Sequence, residues 1–268
     1  MARAGVFGRS GSGKSWFLGW YLERVIPRFD YAVHFDVEDE EQGLSRKEDP
    51  MLKTFYVDIE FADKTVEYEG REMPLVAAVV LKNKKVRVVP DGLTDDEQMQ
   101  LFNDLSRLAM EIGETEANFH LSADESHQVV PNIGDSLPDG IVRVLTGGRK
   151  KGVEWVLCTQ RPAKLHDDAY TQMNMAAYFS LTKDVDIAKV NGSSGFNAYT
   201  YLPTLDEREY IFEDLDAGEV ARQSTNNLDR ENPHLAQDDG VADDVLEESV
   251  SEGGKDLSEQ IAKDAQRG

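Results

Sequence analysis

The run Gly8-Arg9-Ser10-Gly11-Ser12-Gly13-Lys14-Ser15 limits this chain more than any other segment. Its glycines free the backbone to curl so that successive N–H groups face one point, an anion nest. A lysine and a hydroxyl complete the pattern G-x-x-x-x-G-K-[ST]. Such a loop belongs between a buried strand and a helix whose N-terminus carries partial positive charge. The flanks supply both. Residues 2–7 are an apolar run suited to a buried strand, and Trp16, Phe17, Trp20, Tyr21 and Val25 recur at helical spacing before Pro27. The loop therefore predicts a nucleoside triphosphate, with Gly8, Arg9, Ser10, Gly11, Ser12 and Gly13 around the phosphates. Lys14 would reach the β- and γ-phosphates of ATP, and the Ser15 hydroxyl would hold Mg2+. The alternative, a glycine-rich turn with an incidental lysine, leaves the flanks unexplained.

Downstream, strand-like runs alternate with helical ones. Strands are expected at residues 31–36, 54–59, 119–123, 153–158 and 176–181. Residues 75–81 and 86–89 read as two further strands joined by the basic turn Lys82-Asn83-Lys84-Lys85. Thr94 with Glu97 forms a capping box, and the helix it opens carries Met99, Phe102, Leu105, Leu108, Ala109 and Ile112 before Gly113. A shorter helix is expected over residues 139–145. This alternation predicts an α/β fold with a mainly parallel central sheet flanked by helices. The pattern dissolves from about Asp214, which divides the chain into a P-loop domain, residues 1–213, and an acidic extension, residues 214–268. Residues 238–254 are acidic, without aromatics and expected to be disordered, and a short helix is expected over 258–265.

The net charge is −22, from 51 acidic and 29 basic side chains. An acidic excess ordinarily argues against nucleic acid, because phosphates attract Lys and Arg. Here the acidity runs through folded-looking segments (36–41, 91–97, 184–186), as in proteins of very salty cytoplasm. On that reading net charge describes the solvent more than the partner. No stretch has the unbroken apolar length of a membrane span and no secretory signal is visible, so a cytoplasmic location is expected. The single cysteine, Cys158, excludes an internal disulfide and reads as core.

A phosphate-binding loop that hydrolyses its ligand needs a carboxylate near Mg2+ and a base for water. The run Asn118-Phe119-His120-Leu121-Ser122-Ala123-Asp124-Glu125 offers both. Asp124 would hold Mg2+ through water beside Ser15, and Glu125 would deprotonate the attacking water. Asp36, at the end of the second strand, is the competing carboxylate, with a helix cap or a surface charge as its plainer role.

The most discriminating stretch is Thr146-Gly147-Gly148-Arg149-Lys150-Lys151-Gly152-Val153-Glu154-Trp155-Val156-Leu157-Cys158-Thr159-Gln160-Arg161-Pro162. With the P-loop and the Asp-Glu pair before it, this order resembles the HerA–FtsK superfamily of hexameric P-loop motors over roughly residues 1–210. Within it the chain looks most like the genome-packaging ATPases of internal-membrane icosahedral viruses, and the acidic surface suggests a salt-loving archaeal host. The resemblance implies a RecA/FtsK-like ATPase that forms a ring, a hexamer, and pushes double-stranded DNA into a capsid. Its location would be the host cytoplasm or the virion vertex, beside capsid or membrane proteins. Gln160, at the end of the strand neighbouring the P-loop strand, would hydrogen-bond the γ-phosphate or the attacking water and so sense hydrolysis. Arg149 matches the arginine finger inserted into the next subunit's site, with Arg143 and Arg161 as alternatives. Lys150 and Lys151, or the 82–85 turn, could line a DNA channel. Competing readings are a nucleotide or small-molecule kinase, a secretion or conjugation coupling ATPase, and a nucleotide-binding scaffold with little turnover.

Overall fold

The apolar runs line up side by side. The computed structural model describes residues 1–45, 50–132, 134 and 137–232, and nine of its strands form one sheet. In chain order the strands are β1 (Arg3–Phe7), β2 (Tyr31–Phe35), β3 (Lys53–Val57), β4 (Thr65–Tyr68), β5 (Arg71–Pro74), β6 (Lys85–Pro90), β7 (Phe119–Ala123), β8 (Val153–Thr159), β9 (Met175–Phe179), β10 (Glu209–Asp214) and β11 (Glu219–Ser224). The sheet order is β11-β10-β9-β1-β8-β7-β2-β6-β3, and β4 and β5 pair separately as a hairpin. All pairings from β9 through to β3 are parallel, and the β10–β11 hairpin closes one edge antiparallel. Parallel neighbours require crossovers, and helices supply them. They are α1 (Lys14–Val25), α2 (Ile59–Asp63), α3 (Leu75–Asn83), α4 (Asp95–Gly113), α5 (Asp139–Gly147), α6 (Asp167–Gln172), α7 (Asp184–Asn191) and α8 (Ala198–Tyr201).

Two cores form, one on each face of the sheet. Alternate residues of β1 divide between them: Ala4 and Val6 pack with Phe17, Leu18 and Leu22 of α1, whereas Phe7 joins the larger cluster under α3, α4 and α5. Because helices cover both faces, β7 and β8 are buried at every position. Cys158 lies in the α1-side core and is free. The α4 capping box forms as its sequence predicts: the Thr94 side chain accepts from Glu97 N, and Glu97 Oε2 accepts from Thr94 N at 2.8 Å.

Two expectations are corrected. Residues 75–81 are not a strand but most of α3, and the basic turn is the end of that helix running into β6. The run Leu75-Val76-Ala77-Ala78-Val79-Val80-Leu81 is apolar at every position, so its periodicity could not choose between the two periods. Secondly, the regular pattern does not dissolve at Asp214. β11 follows it, and the chain then binds the back of α1. Arg230 Nη2 lies 2.5 Å from Glu41 Oε2, Arg230 Nη1 donates to Trp16 O, and Glu23 Oε1 accepts from Asn232 N at 2.5 Å. This explains a glycine in mid-helix: a Cβ on Gly19 would stand 2.2 Å from the Arg230 guanidinium. The segments expected to be disordered (238–254) and helical (258–265) lie outside the described residues.

Candidate functional site

β1 delivers the phosphate loop to the C-terminal edge of the parallel strands, where such sheets bind ligands. Gly8 N donates to Thr159 O at 3.4 Å and Arg9 N to Ser180 O at 2.9 Å, fastening the loop to residues at the ends of β8 and β9. Ser12 N and Oγ both bond Arg9 O, at 3.2 and 2.7 Å. Gly11 and Gly13 have φ of 73° and 99°, conformations that a side chain would strain. Gly8 is required by space: a Cβ there would lie 2.5 Å from Phe179 Cβ. Gly13, as N-cap of α1, offers no side-chain acceptor, and the first turn has no acidic residue. The helix N–H groups are thus left for an anion.

The predicted residues of three separate segments meet at this edge. A cavity of about 230 Å³ is lined by Ser10, Gly11, Gly13, Lys14, Ser15 and Trp16 of the loop and helix, by Glu125, and by Gln160. Lys14 Nζ lies 3.4 Å from Glu125 Oε1 and 3.4 Å from Ser15 Oγ. Burial opposes the Lys14 charge, but Asp124 and then Glu125 outweigh it and raise its pKa, so the ammonium is retained. Asp124 is fully buried at the end of β7. Its Oδ1 accepts from Glu125 N at 2.7 Å, and its Oδ2 has no hydrogen-bond partner. Burial pushes its carboxyl up to about 7, against the pull of Lys14. Burial would also raise Glu125, but His127 and Lys14 overcome it and hold that carboxyl below its ordinary range. Glu125 adopts φ 39°, a left-handed backbone uncommon for a side-chain-bearing residue. Such strain collects at functional sites.

β8 lies between β1 and β7, so its end stands beside both the loop and the acidic pair. Gln160 therefore reaches the cavity from the strand next to β1, where the sequence reading put it. Thr159 Oγ1 accepts from Arg161 N at 2.9 Å and lies 2.9 Å from His127 Nδ1. Arg161 is tied to buried Asp186, Nε to Oδ2 at 3.5 Å. Arg149 is elsewhere. It lies in the turn before β8, at the strand's opposite end, with an exposed guanidinium 3.9 Å from Asp216. Arg143 is also exposed and pairs with Asp139 on its own helix at 2.9 Å.

Asp36 does not line the cavity; it is fully buried in an ion triad. Arg87 Nη1 lies 2.5 Å from Asp36 Oδ2 and 2.6 Å from Asp39 Oδ1. Asp36 also accepts from Glu40 N at 3.1 Å and Glu41 N at 2.9 Å. Burial would raise its pKa, but Arg87 holds it below the ordinary range. The triad thereby shapes the turn that brings Glu38 and Glu40 to the cavity wall. Sequence reading missed these two, along with Glu207 and Arg208, which line the same cavity from just before β10. Arg208 N donates to Ser12 O at 2.9 Å with φ 68°. No local motif announces that contact, because its two ends come from opposite halves of the chain.

Neither a protein-family model nor a curated protein matches the sequence. Solved structures do match. The genome-packaging NTPase B204 of Sulfolobus turreted icosahedral virus 2, in complex with AMPPCP, superposes with a TM-score of 0.62 at 16% identity, over 83% of this chain and 97% of that one. B204, the DNA-packaging ATPase of Sulfolobus turreted icosahedral virus, gives 0.59 at 18% identity over 82% and 96%. VirB4 of Thermoanaerobacter pseudethanolicus gives 0.57 at 10% identity over 82% and 88%. The chain has the fold these P-loop ATPases share: a mainly parallel sheet between helices with the phosphate loop after its first strand.

Proposed function

We propose that this chain is an ATP-hydrolysing motor that assembles into a ring, a hexamer, and drives double-stranded viral DNA into a capsid. One observation carries the reading. Lys14, the Asp124-Glu125 pair and Gln160 come from three separate segments and converge on one edge of the sheet. The fold shared with packaging ATPases supports it, as does the order of motifs.

ATP would sit in the nest from Gly8 to Ser15, with Lys14 against its β- and γ-phosphates. The Ser15 hydroxyl and Asp124 would hold Mg2+, and the partnerless buried Asp124 Oδ2 fits that use. The ion, when bound, neutralises phosphate charge. Glu125 takes a proton from water as the water oxygen bonds to the γ-phosphorus and the bond to the bridging oxygen breaks. Gln160 faces the same space and orients that water or reads the γ-phosphate.

Arg149 cannot complete its own site. A seven-residue strand spans about 23 Å, and β8 separates Arg149 from Gln160. An exposed arginine at the far pole suits delivery to a neighbouring subunit in a ring. Arg161 is held in place by Asp186, which leaves Arg149 the better finger. Lys150 and Lys151 adjoin it and are the DNA-facing candidates. The motor would take in β11 and the Arg230–Asn232 clasp together with residues 1–213, in host cytoplasm or at the virion vertex beside capsid or membrane proteins. Among the described residues no helix is long and apolar enough to cross a membrane. The acidic surface would suit a salt-rich host.

The test is ATPase turnover in concentrated KCl with and without duplex DNA. Duplex should stimulate phosphate release, and Glu125→Gln should abolish it while still binding ATP. No stimulation at any salt refutes packaging. Stimulation by single strands or a protein cargo alone would instead favour a coupling ATPase, the reading that the VirB4 likeness keeps in play.

A further inference from the structure

The Glu125 carboxylate is gripped from two sides. Its Oε1 faces Lys14 Nζ at 3.4 Å, and its Oε2 faces His127 Nδ1 at 3.1 Å. Neither Glu125 oxygen has an aligned hydrogen bond among the described residues, so Lys14 and His127 hold the carboxylate by close contact. The same Nδ1 lies 2.9 Å from Thr159 Oγ1, and that oxygen accepts from Arg161 N at 2.9 Å. Gln160 stands between Thr159 and Arg161 and lines the nucleotide cavity. One imidazole ring therefore stands between the residue after β7 that would activate water and the end of β8 that would sense phosphate.

We infer that His127 is a positioning residue that holds the Glu125 carboxylate in place and couples it to the Thr159–Arg161 end of β8. The inference rests on the reading of Glu125 as the base. Lys14 must turn to phosphate when ATP binds, which leaves His127 as the other anchor on that carboxylate. Glu125 needs such an anchor because its own backbone is held in a left-handed conformation. The same ring touches Thr159, so a shift of Glu125 against it is passed to the backbone on either side of Gln160.

Steady-state ATPase and nucleotide-binding measurements on the full chain test this. His127→Ala should lower kcat about 10- to 100-fold, the scale of a misplaced catalytic group, with ATP Kd unchanged. His127→Asn, whose amide N–H falls near the Nδ1 position, should recover most of the rate. His127→Leu keeps side-chain bulk without the donor, should behave like His127→Ala, and replaces it if that variant is unstable. The effects of His127→Ala and Thr159→Val should not add in the double variant, as expected for members of one network. Wild-type kcat in His127→Ala or His127→Leu overturns the inference, as does a His127→Asn variant that is folded yet as slow as His127→Leu. The two readings fail separately. Retained turnover in Glu125→Gln removes the base and the proposal built on it, whereas an inactive Glu125→Gln beside an active His127→Leu removes only the role of His127.

Discussion

Replacing Arg87 by methionine removes the cation from the buried triad and leaves Asp36 and Asp39 facing each other. Breaking a buried ion pair by deleting one partner costs about 3–5 kcal/mol. Asp36 retains the Glu40 and Glu41 N–H groups, and Asp39 Oδ2 retains Gln42 Nε2 and the Tyr56 hydroxyl, at 2.9 and 3.2 Å. These donors place the loss near the lower end, about 3 kcal/mol. At roughly 2–4 °C per kcal/mol for a domain of this size, Tm falls by about 6–12 °C. The pH dependence separates lost charge pairing from lost packing. In the wild type burial would raise Asp36, but Arg87 holds its folded pKa below the unfolded value, so its contribution is complete above the unfolded pKa and fades only in stronger acid. Without Arg87, burial raises that pKa, and the penalty is relieved as acid protonates the carboxyl. The gap in Tm between the two proteins should therefore narrow from pH 8 to pH 5 when unfolding is followed by circular dichroism. A gap of under about 2 °C at pH 8, or one that widens in acid, would refute the electrostatic account of the triad.

Gly8→Ala should abolish nucleotide binding, read by fluorescent ATP-analogue titration, because the added carbon meets Phe179 Cβ at 2.5 Å and Ser12 Oγ at 2.6 Å. Arg149→Ala subunits mixed with wild type should depress turnover more than in proportion to their fraction; a strictly proportional rate dismisses Arg149 as a finger given in trans. Burial pushes His34 down to about 4, so the unfolded chain takes up its proton first and this residue costs stability as pH falls from about 6.5 to 4. His34→Asn should flatten the loss of Tm over that window, and an unchanged slope would exclude His34 as its source. Thr94→Ala should cost about 1 kcal/mol in urea denaturation through loss of the capping box.

The phosphate loop, the α4 cap and the Asp124-Glu125 pair were legible because each is a contiguous pattern whose chemistry is local. β8 as neighbour of β1 was also legible, through the motif order. α3 was not, since a helix buried all round and a buried strand both read as unbroken apolar residues; Pro74 before it and the adjacent alanines were the available hints. The cavity wall was half legible. Lys14 and Glu125 announce themselves, but Glu38, Glu40 and Arg208 reach the site only through Arg87 and Ser12, partners distant in sequence. Asp36 read as a rival metal ligand or a surface charge for the same reason: its partner lies on β6, some fifty residues later. His127 carried no signal because its role depends on β7 and β8 lying side by side.

The buckle that Arg230 and Asn232 make across α1 fixes where this protein can be cut. Clipping the chain just after Asn232 spares every bond of that clasp, and the helix behind the phosphate loop keeps its backing. Clipping it before Arg230 strips Glu41 and Glu23 of those contacts and opens a notch at Gly19 where the Arg230 guanidinium lies. Shortened versions for crystallisation or fusion should therefore end no earlier than Asn232.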